Sequence, residues 1–213
     1  MHDSVRVAVM TSTYQLKSRF QSLLRPLAAW LYRRGVTANQ ITVGACLISL
    51  ALGVMTLMHS DRNYLFLLIF LWCLLRMAAN ALDGMLAREF GQVSRLGAVL
   101  NELGDVISDI ALYLPFAFVV GSQPWLIVAV VLLAVLSEFA GVLGVAISSE
   151  RSYAGPMGKS DRALVFGIVG LLIGCGISIA PFANLVWALT AALLVVTIIN
   201  RARSALSGRG DNP

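Results

Sequence analysis

Six apolar segments, each close to the roughly 20 residues an α-helix needs to cross a bilayer, limit what this chain can become. They run at about 39–58, 64–86, 97–120, 124–148, 162–180 and 183–200. Short polar or Pro/Gly connections separate them: HSDRN, REFGQVSR, GSQP, SSERSYAGPMGKSDR and a turn at Pro181. Lipid offers no partner to a backbone N–H or C=O, so segments of this kind are helices. Only 13% of the residues are charged, against about a quarter in soluble domains. The reading is an all-α polytopic membrane protein with six transmembrane helices. Nothing suggests nucleic-acid binding, which would gather Lys and Arg on a soluble face. Cys46, Cys73 and Cys175 all lie in apolar runs without CxxC or Cys/His spacing. Disulfide and zinc readings therefore fail, and the cysteines are small packing residues.

Residues 13–34 form no span but carry a helical stripe of Leu16, Phe20, Leu23, Leu24, Leu27 and Leu31. Lys17, Arg19, Arg25, Arg33 and Arg34 lie on or near the other face, the pattern of an amphipathic helix in the interface of an anionic leaflet. The polar, basic N-terminus shows no apolar h-region or cleavage site, so no cleaved signal peptide is expected. Basic residues set the orientation. With the N-terminus in the cytoplasm, one side collects the N-terminal cluster, Arg88, Arg95, Arg151, Lys159, Arg162, Arg201, Arg203 and Arg209. The other side receives only Arg62. By the positive-inside rule both termini and the loop between spans 2 and 3 are cytoplasmic, in the inner or plasma membrane of the cell. The expected organisation is a cytoplasmic N-terminus with its interfacial helix (1–34), a six-helix membrane domain (35–203) and a cytoplasmic tail (204–213).

One stretch is too polar for a pair of lipid-facing spans: RMAANALDGMLAREFGQVSRLGAVLNELGDVISD, residues 76–109. Ionisable groups at membrane depth are costly unless paired or facing a polar cavity, which makes them functional candidates. At 100° per residue, Arg76, Asn80, Asp83, Gly84 and Ala87 share one arc of span 2. On span 3, Gly97, Asn101, Asp105 and Asp109 follow at four-residue steps, with Glu102 beside Asp109. Convergent oxygen donors suit a hard divalent cation such as Mg²⁺ or Mn²⁺. Such an ion can hold a diphosphate and activate a hydroxyl nucleophile. Gly84 and Ala87 would let a substrate approach the backbone, and Arg88 would offer charge to a phosphate. The competing account is structural, in which the same groups only cross-link two helices.

The order Asn80-x-x-Asp83-Gly84-x-x-Ala87-Arg88, eight residues, Gly97-x-x-x-Asn101-x-x-x-Asp105 resembles the signature of the CDP-alcohol phosphotransferases, D-x-x-D-G-x-x-A-R-(x)8-G-x-x-x-D-x-x-x-D. Ser94 and the segment GVTANQIT (35–42) fit as well, and the resemblance extends over essentially the whole chain. It implies a phospholipid-synthesis transferase that moves a phosphatidyl group from CDP-diacylglycerol to a small alcohol, with release of CMP, and that works as a homodimer. Carried over by position, it implies Asp83 and Asp105 as metal ligands, with Asp105 also the candidate base. Gly84, Ala87, Arg88 and Gly97 would lie along the CDP moiety. The departures are Asn80 and Asn101, which put weaker carboxamide ligands where the family has the first and third of four aspartates holding two metals. Glu102 and Asp109 could restore two carboxylates, or a single metal could be held. A member that binds the CDP-lipid without catalysis is the alternative. A small transporter is a weaker one, because the polar groups crowd toward one membrane face.

Two further features lie outside the signature. Arg76 and Glu138 come out at similar depth, so Arg76 is expected to pair with Glu138 or Asp109. In the loop GPMGKSDR (155–162), Lys159 and Arg162 could hold the phosphate of an acceptor such as glycerol 3-phosphate, or serve only as positive-inside residues.

Overall fold

The computed structural model describes residues 20–148 and 150–207. Residues 13–19 of the expected interfacial helix and most of the tail lie outside them. Among the described residues the regular structure is entirely helical: α1 (20–33), α2 (Ala38–Met58), α3 (Asn63–Glu89), α4 (Arg95–Tyr113), α5 (Pro124–Ser148), α6 (Lys159–Gly174) and α7 (Ala183–Ser207). A 3₁₀ segment, Leu114–Phe118, follows α4. Four helices, α2, α3, α5 and α7, are long and apolar enough to cross a membrane. The other two candidates fall short for different reasons. Helix α6 has 16 residues, about 24 Å at 1.5 Å per residue, and α4 carries Arg95, Glu102, Asp105 and Asp109.

Helix α4 is shorter than its apolar run because of Pro115. Proline has no N–H and its ring crowds the carbonyl four residues back, so the α-helix gives way to the 3₁₀ segment. That carbonyl belongs to Ala111, and it lies against Gly53 of α2, where an added Cβ would come within 2.2 Å of it. The fifth apolar run also ends early. Helix α6 stops at Gly174, and Gly176 turns the chain at φ 77° ahead of Pro181.

By internal contacts the chain divides into two units, one through Ala45 together with Arg76–Glu102, the other comprising Cys46–Leu75 and everything from Leu103 onward. In the first unit, Thr37 and Gln40 form a capping box at the start of α2. The Gln40 N–H donates to Thr37 Oγ1 at 3.2 Å and the Thr37 N–H donates to Gln40 Oε1 at 2.9 Å. Gln92 Oε1 takes a further free N–H of that helix end, from Ala38 at 2.7 Å. Helix α1 buries Ala28 against Leu82 and Met85 of α3. Arg25 and Glu89 tie the two helices with a two-pronged contact of 3.0 and 3.1 Å.

The second unit has an aromatic centre. Tyr113 stacks on Phe166 at 3.9 Å, Phe166 on Trp187 at 5.0 Å, and Phe116 meets both Phe66 and Phe166 edge-on. Trp187 Nε1 donates to Ser122 Oγ and Trp72 Nε1 to Ser49 Oγ, so neither indole leaves its polar edge unsatisfied. Glycines make the close helix approaches possible, Gly53 against Ala111 and Gly170 against the Phe66 carbonyl. Gly53→Val is therefore expected to lower stability by about 1–3 kcal/mol through overpacking. Gly44→Ala, on the same helix with open space at its Cβ, should be neutral or slightly stabilising. Thermal melting in detergent compares the two.

Candidate active site

On α3 the signature residues differ in burial. Asp83 is 6% exposed, and Thr42 Oγ1 of α2 donates to its Oδ2 at 2.8 Å. The Ala38 carbonyl, 3.1 Å from the same hydroxyl, is a longer second acceptor for its single proton. Asp83 thus presents a carboxylate with one oxygen already oriented. One turn on, the Arg88 guanidinium lies over Gly84, about 3.0 Å from where a Cβ would stand, and Arg88 itself is exposed. Gly97 is small for a similar reason. A Cβ there would come within 2.7 Å of Asn39 Oδ1 and 2.9 Å of Ser94 Oγ, and Ser94 Oγ also accepts the Gly97 N–H. Asn80, Ala87, Asn101 and Glu102 are half-buried.

On the other side of the signature, α4 and α6 meet through two ion pairs in register. Lys159 Nζ is bonded to Asp105 Oδ2. One turn along each helix, Arg162 Nη2 donates to Asp109 Oδ2 at 2.9 Å, with Nε at 3.3 Å. Both cations lie in the first turn of α6, where the helix dipole disfavours positive charge. Their placement answers to α4 and not to local preference.

Behind Arg162 lies a buried charge cluster centred on Glu138 of α5. Glu138 Oε1 accepts Arg162 Nη2 at 2.8 Å and lies 3.5 Å from Arg201 Nη1. Its Oε2 accepts Arg151 Nη2 at 2.7 Å. Arg162 Nη1 reaches Ser137 Oγ at 3.2 Å, and Arg201 Nη1 reaches the Ser137 carbonyl at 2.5 Å. Burial pushes the Arg151 guanidinium below the ordinary arginine range, yet an arginine remains charged there. The segment 150–155 closes over this cluster. It passes glycine positions on α5, with the Glu150 and Ser152 carbonyls against Gly144 and Gly141, and Gly155, at φ 126°, lies on Thr197 of α7.

Two candidate site residues face each other. Asp109, a candidate compensating metal ligand, is 5% exposed and engaged by Arg162. Arg162, which the sequence left between phosphate binding and positive-inside charge, is 1% exposed and bonded to two carboxylates and a serine. In this structure the pair ties α4 to α6. Glu138 is the centre of a buried ion-pair cluster with Arg151, Arg162 and Arg201, three cations other than the Arg76 that its depth suggested. Thr42, Arg151 and Arg201 were not singled out from the sequence. A threonine one turn into a span, a basic residue in the segment after α5 and another within α7 carry no signal apart from ordinary helix polarity and positive-inside charge.

Each unit by itself carries hard oxygen donors of the kind a divalent ion takes, Asp83 and Asn80 in the first and Asp105 in the second. Asp105 already carries an ammonium. Among the described residues no three His, Cys, Asp or Glu side chains come together as a metal cage.

The family model described as CDP-alcohol phosphatidyltransferase matches residues 35–200. The chain belongs to the CDP-alcohol phosphatidyltransferase family. A 52% identical relative over 193 residues, 91% of this chain and 96% of its own, is the Escherichia coli K12 protein named inner membrane protein YnbA. A phosphatidylinositol phosphate synthase of Mycolicibacterium smegmatis is 27% identical over 94% of this chain and 92% of its own. Among solved structures, the Mycobacterium tuberculosis phosphatidylinositol phosphate synthase with CDP-DAG bound superposes with a TM-score of 0.70 at 21% identity, covering 88% of this chain and 96% of that one. The same enzyme in complex with manganese and citrate gives 0.69 at 23% identity, over 88% and 91%. These two superpositions establish a shared fold. Within this family's matched region lie Asp83, Gly84, Ala87, Arg88, Gly97 and Asp105, which agree with the signature given above, and Asn80 and Asn101, which depart from it.

Proposed function

We propose that this protein transfers a phosphatidyl group from CDP-diacylglycerol to a small alcohol at the cytoplasmic face of the cell membrane, releasing CMP. The observation that carries the reading is the Asp83 carboxylate, buried within the family signature and oriented by Thr42. In this reading the acceptor hydroxyl oxygen attacks the lipid-side phosphorus in line. The bond from that phosphorus to the CMP oxygen breaks, CMP leaves, and the hydroxyl proton passes to Asp105. Asp83 and Asp105, with Asn80 and Asn101 as weaker ligands and Glu102 within reach on the same helix as Asp105, would hold Mg²⁺ or Mn²⁺. When bound, the ion would neutralise the charge of the diphosphate. Gly84, Ala87 and Gly97 give the CDP moiety close access to backbone, and exposed Arg88 offers it a guanidinium. Lys159 and Arg162 are the basic residues proposed for a phosphorylated acceptor such as glycerol 3-phosphate, and of the two Lys159 is the more exposed.

The membrane arrangement belongs to the same proposal. Helices α4 and α6 complete six spans with the four longer ones, polar residues inward, in a homodimer. Helix α1 lies in the interface, its exposed Phe20, Leu23, Leu27 and Trp30 toward lipid. Asn80 and Asn101 favour a second reading, a relative that binds the CDP-lipid without turning it over.

Labelled CDP-diacylglycerol offered with a panel of free and phosphorylated alcohols separates the two. A new labelled phospholipid with one acceptor supports transfer, and none with any acceptor, despite CDP-lipid binding, supports the second reading. Thr42→Val should lower turnover about tenfold by releasing Asp83 from its orienting bond, the size seen for groups that hold a ligand in place. The substitution conserves volume but removes one donor to a buried carboxylate, so the protein should fold with a stability loss of about 1–3 kcal/mol.

A further inference from the structure

We infer that Lys159 is the resident counter-ion of Asp105, and that a divalent cation reaches this carboxylate only by displacing it. The inference rests on the reading of Asp105 as a metal ligand. The two rungs between α4 and α6 differ in a way that assigns each a job. In the Arg162–Asp109 rung the side chains are 1% and 6% exposed, and Glu138 and Ser137 hold the guanidinium from behind. That rung is sealed and cannot open without moving the cluster. In the Lys159–Asp105 rung the side chains are 31% and 16% exposed, so water and ions can reach it. Its cation is an ammonium on a flexible stem, which binds as a point charge and exchanges readily, unlike the planar guanidinium fork.

The position of Lys159 supports the same conclusion. It opens α6 after Gly158, whose N–H is taken by Asp161 Oδ2 at 2.9 Å. A cation in the first helical turn works against the dipole. The sealed rung nonetheless fixes α6 in register, so the Lys159 stem is delivered to Asp105 whether or not an ion is present. An ammonium bonded to Asp105 Oδ2 occupies a carboxylate oxygen that a divalent ion would use, and so competes with the ion.

The test is Mn²⁺ binding to the full-length protein in detergent, without CDP-lipid, read from the electron paramagnetic resonance signal of free Mn²⁺. Lys159→Met should tighten Mn²⁺ binding about tenfold, the ratio that corresponds to ~1.4 kcal/mol for a partly exposed ion pair. Lys159→Arg should leave it as weak as in the parent or weaker. Asp105→Asn should weaken it, and Lys159→Met combined with Asp105→Asn should lose the gain. An unchanged affinity in Lys159→Met overturns the inference. So does a gain that persists without Asp105, which would indicate only the general field of a removed charge. Undetectable Mn²⁺ binding in every variant also overturns it. Melting curves confirm that each variant is folded. CMP release by the parent protein reports separately on the transferase reading, so the two can fail independently.

Discussion

Glu138→Ala should destabilise the protein more than any other single substitution considered for it, by about 3–5 kcal/mol, the cost of removing one partner from a buried ion-pair network. The reason is geometric. Glu138 receives Arg151 at 2.7 Å and Arg162 at 2.8 Å, with Arg201 at 3.5 Å. Arg162 and Arg201 are 1% and 2% exposed, so neither can turn to water when the carboxylate is gone. Asp109 would still hold Arg162, but the contacts of Arg151 and Arg201 with Glu138 would be lost. For a chain of this size the melting temperature should fall on the order of 10 °C. Glu138→Gln, which keeps the shape and an acceptor oxygen, should fall by less. If Glu138→Ala melts with the parent protein, the cluster does not stabilise the fold and the account of α5, α6 and α7 is wrong.

The second large effect is chemical. Asp83→Asn should reduce CMP release about a thousandfold, ~4 kcal/mol of barrier, while melting stays close to that of the parent. The substitution removes a charge and conserves shape. The Thr42 hydroxyl, 2.8 Å from Asp83 Oδ2, can donate to a carboxamide oxygen as well as to a carboxylate. What is lost is a negative donor in a set where Asn80 and Asn101 already occupy two family carboxylate positions. A site with so little charge in reserve should tolerate the loss of one more carboxylate poorly. A large drop in stability together with activity would instead give Asp83 a structural role.

The signature residues were legible because their spacing follows the helix turn, and α3 and α4 do form over them. The helices α2, α5 and α7 were equally plain as long apolar runs. Two boundaries were not. An apolar count treats Pro115 like its neighbours and does not register its missing N–H, so the break after Tyr113 was hidden inside a greasy stretch. Lys159 opens α6 although hydropathy argues against it, because Asp105 on a distant helix takes its charge. The same limit applies to Glu138. A lone acid in a span announces that it needs a cation, but cations 13 and 24 residues along the chain are brought to it only by the packing of α5 with α6 and with the segment after Ser148. Long-range pairing also explains why the sequence left two readings of Arg162 open. As text it is a loop-end arginine beside Lys159, and only its burial separates an anchor from a ligand-binding residue.

The measurement that tests the central claim most directly is CMP release from CDP-diacylglycerol by the purified protein, with and without Mg²⁺ or Mn²⁺, across alcohol acceptors. The account predicts release that requires both the metal and one class of acceptor, and that is lost in Asp83→Asn and Asp105→Asn. Absence of release with every acceptor and either metal, in protein that still binds the CDP-lipid, would contradict it.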